Sequence, residues 1–457
     1  METLGLFLYM ITLSEEQSKA LNHIEDWILH GKTYACTLSG SAGTGKSTII
    51  RMIIDFLQHK AIKYCLTAPT HKAALVLESL TDQKVMTLHS LLALSPKLDI
   101  LELDFKELEF NSNPTKNVPY HGVIICDEAS MINDELFKFI EEKCEEHEAK
   151  VLYVGDRMQL SPVGKFCYSK VWDINNSVTL TKIFRQDNES ALTPLLVKLR
   201  KHYLTNFNLD IREKGSTFVI ANANEYLNKI IEAFKYAINK SDILYTKILA
   251  YTNDRVRIYN ELVHKSIFGK ENQYNKFEFL TAYDNFEYNM ISYENGMDYI
   301  IINEPVKTSI FIPEVGNLPG YELELYNSLT KESGIVNILD KEISSEYTNW
   351  LCDRIEHFRI KAITTKDKQR RGFYWKKYFQ IMNSFVTPFD LYYGNRLIRK
   401  KSLDYGYAVT VHKSQGSSIT NIFVDMKDLF KRRDAEELRQ LQYVALSRAR
   451  KDAYIYL

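Results

Sequence analysis

The stretch Gly40-Ser41-Ala42-Gly43-Thr44-Gly45-Lys46-Ser47 fits G-x-x-x-x-G-K-[ST] at every position. It constrains the fold because such a loop works only between a buried strand and a helix N-terminus. Tyr34 to Leu38 reads as that strand. Ser47 to Leu57 reads as the helix, with Ile49, Ile50, Ile53, Ile54 and Leu57 apolar at helical spacing. Glycines let backbone N–H groups close around phosphates, and the helix N-terminus adds favourable partial charge. Lys46 would reach the β- and γ-phosphates, and the Ser47 hydroxyl would hold Mg²⁺. The loop alone specifies a nucleoside triphosphate and no more, since kinases, GTPases, transporters and motors all carry one.

At 457 residues the chain exceeds what one core usually supports, so more than one domain is expected. A formal net charge of zero means that a nucleic-acid partner must meet a local basic groove. The six cysteines are scattered with no C-x-x-C pair, which points to a reducing compartment and away from structural zinc. The apolar stretch Leu4 to Leu13 is too short to span a membrane and lacks the basic start of a signal peptide. A cytoplasmic protein without a membrane partner is expected.

Ser14 can cap a helix in a capping box with Gln17, and Gln17 reads equally as an adenine contact upstream of the phosphate loop. Tyr64 to Ala68 reads as a strand. Pro69-Thr70-His71 after it, and Thr87-Leu88-His89-Ser90 further on, could grip a DNA phosphate or form ordinary turns. Residues 92–118 suit a small hairpin or an irregular insertion. Val123-Ile124-Ile125-Cys126 reads as a fully buried parallel strand, and Asp127-Glu128 end it where α/β ligands bind. Asp127 can join the Mg²⁺ shell and Glu128 can polarise an attacking water. Val151 to Val154 is another buried strand. It leads into Gly155-Asp156-Arg157-Met158-Gln159, where Gln159 would sense the γ-phosphate. Arg185 could reach the phosphates, although by itself it reads as a surface arginine.

In the second half, Glu225 to Ile238 is expected as an amphipathic helix, and Ile248 to Ala250 as a strand leading into Tyr251-Thr252-Asn253. Asn239-Lys240-Ser241-Asp242 matches the guanine-reading N-K-x-D of GTPases but follows a helix rather than a strand. Residues 289–401 show short alternating runs at first and a helical pattern around Trp350 to Phe379. There Lys366, Lys368, Arg370, Arg371, Lys376 and Lys377 lie near Phe373, Tyr374 and Trp375. That mixture suits stacking on single-stranded DNA or a solvated charged helix.

The ordered set of motifs resembles superfamily 1 helicases, specifically the RecD-like branch and its phage Dda type. The residues that carry the resemblance are Gln17, Gly40 to Ser47, Ala68 to His71, Thr87 to Ser90, Asp127-Glu128, Gly155-Asp156 with Gln159, and Phe184-Arg185. They continue in Ala250 to Asn253, Tyr407 to Gly416 and Tyr443 to Arg450, so the resemblance spans nearly the whole chain. It implies an α/β fold of two RecA-like P-loop lobes, with a small hairpin inserted in the first and an SH3-like β-barrel in the second. The expected divisions are a first lobe over 1–188 containing the insertion 92–118, a second lobe over 189–288 and 403–457, and an inserted domain over 289–402.

The resemblance also implies ATP at Gln17, Gly40, Ser41, Ala42, Gly43, Thr44, Gly45, Lys46, Ser47, Thr48 and Gly416, with Mg²⁺ on Ser47 and Asp127. It assigns DNA contacts to Pro69, Thr70, His71, Thr87, His89, Asn253, Thr410, His412, Lys413, Ser414 and Gln415. Lys46, Glu128, Gln159, Arg185 and Arg448 would act in catalysis. An arginine such as Arg448, supplied from the second lobe, would be worth about 10³–10⁵ in rate, or roughly 4–7 kcal/mol. Phe105 falls where the Dda-type pin aromatic would lie, as a strand-separating wedge.

The expectation is an ATP-dependent DNA helicase and translocase, 5′-to-3′ by the resemblance, serving replication, recombination or repair. Its partners would be single-stranded and forked duplex DNA, with a single-stranded DNA-binding protein or replisome component as a further candidate, and the protein would act as a monomer. Two alternatives are the motor subunit of a RecBCD-like exonuclease complex and an ATP-switched DNA-binding module. Glu128 and Arg448 argue against the second, since binding alone requires neither.

Overall fold

The computed structural model describes residues 13–96, 110–112, 117–161, 168–182, 192–205 and 217–457. The chain divides into two compact units. The described residues of the first fall within 13–96, 110–205 and 432–447, and those of the second within 217–431 and 448–457.

The first unit is built on a six-stranded, all-parallel sheet. Its order is Val85–Thr87, Tyr64–Ala68, Val123–Cys126, Lys150–Gly155, Ala35–Gly40 and Ser177–Leu180. Both faces are covered, which explains the uninterrupted apolar runs. Leu38, Leu66, Ile125 and Leu152 point into one core with Ile49, Ile50, Ile53 and Leu57 of the helix Lys46–His59. Cys65, Ile124, Val151 and Tyr153 point into the other, against Leu136, Ile140 and Cys144 of the helix Asp134–His147. The Lys150 ammonium donates to the Trp27, Ile28 and Gly31 carbonyls, satisfying the C-terminal end of the helix Glu15–His30. Leu94–Pro96 and Phe110–Ser112 pair antiparallel, and Phe105 between them lies outside the described residues.

The second unit holds a five-stranded parallel sheet in the order Ala408–Thr410, Thr246–Ala250, Ile419–Asp425, Ala449–Tyr456 and Thr217–Ile220. Inserted into it is an antiparallel sheet of Val306–Ile312, Gly316–Asn327, Asp298–Ile301, Phe279–Ala282 and Leu403–Tyr405, with Glu332–Leu339 paired to Gly316–Asn327. The helices Ser345–Thr364 and Lys368–Met382 pack on its core through Leu351, Ile355, Phe358, Tyr378 and Ile381. The buried Lys247 ammonium bridges Asp298 at 2.9 Å and the Gly406 carbonyl at 2.5 Å, tying the parallel sheet to the antiparallel one.

Two divisions differ from the expected ones. The antiparallel sheet begins before residue 289 and closes after 402, because Leu280 pairs with both Tyr299 and Tyr405. Arg432–Ser447 belongs with the first unit rather than with 403–457 as a block. The reason is the helix Ala435–Ser447, whose Leu438 to Ser447 are all buried. Gln442 accepts the Leu204 N–H and donates to the Leu204 carbonyl, and Arg439 donates to the Leu199 carbonyl.

Candidate functional site

The phosphate loop follows the strand Ala35–Gly40 and opens the helix Lys46–His59. The Thr44 hydroxyl donates to the Ser41 carbonyl at 2.9 Å, closing the loop on itself. Lys46 Nζ donates to the carbonyls of Gly40 at 2.7 Å and Ser41 at 3.1 Å, so its ammonium sits inside the loop's curve. Gly45 has φ +90°, and a Cβ there would meet Gln17 Nε2 at 2.3 Å. Ala42, Gly43, Ser47 and Thr48 are half-buried around the loop.

Gln17 forms the cap that its sequence context allows. Its side-chain oxygen accepts the Ser14 N–H at 3.0 Å while the Ser14 hydroxyl accepts the Gln17 N–H, a complete capping box. Its amide then donates to the Thr44 carbonyl at 3.0 Å. The cap therefore fixes the rotamer that touches the loop.

Asp127 and Glu128 leave the sheet directly after Val123–Cys126. Glu128 takes a left-handed conformation at φ 51°, and its N–H donates to Asp127 Oδ1 at 2.9 Å. Burial and the adjacent Glu128 carboxylate push the Asp127 carboxyl up to about 6, against the pull of Lys46. Hard oxygen donors from Ser47 and Asp127 suit Mg²⁺, which takes one or two protein ligands beside phosphates and water. Gln159 is buried, and its Oε1 has no hydrogen-bond partner among the described residues. Asp156 accepts the Met158 N–H at 3.0 Å and the Tyr443 hydroxyl at 2.5 Å. Arg185 lies outside the described residues.

Two further residues at this site carried no assigned role in the sequence. Tyr443 holds the loop of Gln159 through Asp156. Arg200 Nη1 donates to the Ser41 hydroxyl at 3.4 Å, putting a guanidinium at the phosphate loop. Neither signal is local: Arg200 follows the helix Leu192–Leu199, and its carbonyl accepts from Arg439.

Thr70 caps the helix His71–Thr81 by accepting the Ala73 N–H, and Thr87 caps Leu88–Leu91 by accepting the Ser90 N–H. Ala68 and Thr87 are register partners, so Pro69, Thr70 and His71 sit beside Thr87 and His89 at one end of the sheet. Burial lowers the His89 imidazole against the pull of Glu135, and neighbouring His71 lowers it further.

In the second unit Thr252 caps the helix Asn253–Phe268 and leaves Asn253 exposed at its start. Asp428, which no motif singled out, organises this corner. Its carboxylate accepts the N–H groups of Tyr251 at 2.9 Å and Thr252 at 2.7 Å, together with the Thr252 hydroxyl. Ala250 and Thr410 are register partners, which brings His412-Lys413-Ser414 beside Tyr251. The Tyr251 and His412 rings lie 6.3 Å apart. Thr410 accepts the Lys413 N–H, the Ser414 hydroxyl donates to Val411, and the buried Gln415 has an unpartnered side-chain nitrogen among the described residues. Gly416 has φ 72°. Arg448 is buried and donates to the Ser417 carbonyl at 3.3 Å, so it is anchored to the turn that follows Gly416.

Residues 12–211 match the family model described as an AAA domain, and residues 405–456 match the UvrD-like helicase C-terminal domain. The chain is 24% identical over 470 residues to the ATP-dependent DNA helicase dda of Enterobacteria phage T4, covering 97% of this chain and 98% of that protein. It is 31% identical over 185 residues to the ATP-dependent RecD2 DNA helicase of Deinococcus radiodurans, covering 40% of this chain and 23% of that one. Its fold is similar to that of Bacteroides Pif1 bound to ssDNA, with a TM-score of 0.53 at 16% identity over 98% of this chain and 92% of that one. The Pif1 helicase from Candida albicans gives a TM-score of 0.50 at 19% identity over 98% and 94%. Two parallel sheets, a phosphate loop contacted by Gln17 and relatives matched over almost the full length agree that the chain is similar to the superfamily 1 helicases of the Dda/RecD-like kind.

Proposed function

We propose that this ATP-dependent DNA helicase moves 5′-to-3′ along single-stranded DNA and separates forked duplex as it goes. The observation that carries the reading is the set of polar groups at the C-terminal ends of one parallel sheet. Lys46 curls within the phosphate loop, Asp127 and Glu128 leave the central strand, and Gln159 is buried with a free acceptor. ATP binds along Gln17 and Gly40 to Thr48, and Gly416 is a further candidate contact. Lys46 neutralises the β- and γ-phosphates, Glu128 orients and deprotonates the attacking water, and Gln159 senses the γ-phosphate. Ser47 and Asp127 would hold Mg²⁺, which supplies charge neutralisation between the phosphates. Arg185 and Arg448 meet the charge that develops on the transferring phosphoryl group.

The strand is held by Pro69, Thr70, His71, Thr87 and His89 of the first unit and by Asn253, Thr410 and His412 to Gln415 of the second. Separating one base pair costs about 1.4 kcal/mol of stacking on average, within reach of one ATP per nucleotide. Phe105, on the insertion within 92–118, is the wedge. The antiparallel insertion in the second unit is the SH3-like domain of this architecture. The protein works as a monomer in the cytoplasm, with a single-stranded DNA-binding protein or replisome component as its partner in replication, recombination or repair.

The test is ATP turnover with and without single-stranded DNA, followed by unwinding of 5′-tailed and 3′-tailed duplexes. Turnover should rise with single-stranded DNA, and the 5′-tailed substrate should open. Unchanged turnover would overturn the motor reading, and opening of only the 3′-tailed substrate would overturn the polarity. Lys46→Ala should abolish hydrolysis and leave DNA binding nearly intact. Phe105→Ala should slow unwinding, and a wild-type unwinding rate would remove the wedge role.

A further inference from the structure

Tyr283 in the second unit carries two ammonium groups on one ring. Lys401 Nζ lies 3.8 Å from the ring centroid and Lys413 Nζ lies 4.4 Å from it. They border a cavity of about 560 Å³ that is also lined by Lys400, Pro388, Phe389 and Leu397. The start of the helix Asn253–Phe268 opens into the same cavity through Asn253.

The carboxylates at this site have other bonds. Asp404 is bridged by Lys341 and Lys401, Asp390 accepts the Lys401 N–H, and Asp254 pairs with Arg257 on the exposed rim. Burial, the largest influence, and repulsion from Lys401 and Lys400 hold Lys413 down at about 8, with Asp284 pulling the other way. Lys401 and Lys413 on the Tyr283 ring, with Lys400 lining the same cavity, favour an anion placed among them. A phosphodiester meets the charge, and the sugar or base attached to it meets Phe389.

We propose that this cavity seats one nucleotide of a single nucleic-acid strand, its phosphate held by Lys400, Lys401 and Lys413 and its sugar or base packed on Phe389. The subsite adds Tyr283, Phe389, Lys400 and Lys401, which no motif contains, to the strand path that Asn253 and Lys413 begin. It rests on reading the chain as a single-stranded DNA-binding motor. Tyr283 holds both lysines at the cavity through cation–π attraction to each.

The experiment is fluorescence anisotropy of a labelled oligothymidylate titrated with full-length protein between 50 and 200 mM salt. Each phosphate contact on a single strand contributes about 0.7 to the slope of log affinity against log salt. Lys400→Gln with Lys401→Gln should make the slope shallower by about 1.4 and weaken binding severalfold. Lys400→Gln alone removes only an exposed side chain, so it guards against misfolding, and it should give about half that change in slope. Phe389→Ala should weaken binding with the slope unchanged. Lys307→Gln, on the same inserted sheet but outside the cavity, should alter neither quantity. Wild-type slope and affinity in both lysine variants would overturn the subsite while leaving the helicase reading intact. Failure of the wild-type protein to bind the oligonucleotide at all would overturn the helicase reading itself.

Discussion

The Tyr443 hydroxyl donates to Asp156 Oδ2 at 2.5 Å across 287 positions of sequence. Asp156 is buried, and its other oxygen takes the Met158 N–H, so the loop that carries Gln159 is held from both sides. The helix Ala435–Ser447 thereby belongs to the nucleotide-binding unit, and the chain passes from that helix into Arg448 with no intervening linker.

Tyr443→Phe keeps the ring and removes only the donor. A buried hydrogen bond to a charged group contributes about 1.5–3 kcal/mol, and the expected loss of unfolding free energy in urea lies in that range. The same variant should lower ATP turnover because Gln159 loses its support. A variant with wild-type stability and turnover would show that Asp156 finds another partner.

Gly45→Ala should fail for two separable reasons. Its φ of +90° disfavours any side chain, and the added Cβ would strike Gln17 Nε2 at 2.3 Å. Pairing it with Gln17→Ala removes the clash but leaves the backbone strain. The double variant should therefore lose less nucleotide affinity than the sum of the two single losses, a non-additive result readable in a two-by-two cycle of nucleotide affinities. Strict additivity would mean that Gln17 moves aside freely.

Asp428 gives the second unit an acid limit. Burial pushes its carboxyl up, but the Lys431 ammonium and the hydrogen bonds from Thr252 and Tyr251 outweigh this and hold it below its usual value of 3.8. A depressed carboxyl contributes stability that is fully present above 3.8 and is lost as pH falls through the lower folded value. Asp428→Asn should be less stable at neutral pH and show a flatter fall of thermal midpoint below pH 4. Parallel acid curves for the two proteins would exclude this carboxylate as a source.

Lys413 ties strand binding to pH. With its ammonium held down at about 8 by burial, Lys401 and Lys400, the free protein loses that charge between pH 7 and 9, whereas a bound phosphate stabilises it. Single-stranded DNA affinity should then weaken by about tenfold from pH 7 to pH 9. Lys413→Gln should bind more weakly at pH 7 with little further change at pH 9. An unaltered pH dependence in that variant would place the titrating group elsewhere.

Motif spacing in the chain already contained the nucleotide half of the site. The run Gly40 to Ser47 needs only local glycine freedom and a helix start, and Val123 to Cys126 needs only a buried parallel strand to put Asp127 and Glu128 at its end. Such features survive in one dimension because their causes lie within a few residues. Tyr443 on Asp156, Arg200 at Ser41, Asp428 beneath Tyr251 and the two lysines on Tyr283 left no such trace. Each depends on burial shared between segments far apart in the chain, where an isolated tyrosine or aspartate looks like any other. The helix Ala435–Ser447 is the clearest case. Its sequence permits a helix, but only the packing of Leu438 to Ser447 beside Leu199 and Leu204 decides that it completes the first unit rather than the second.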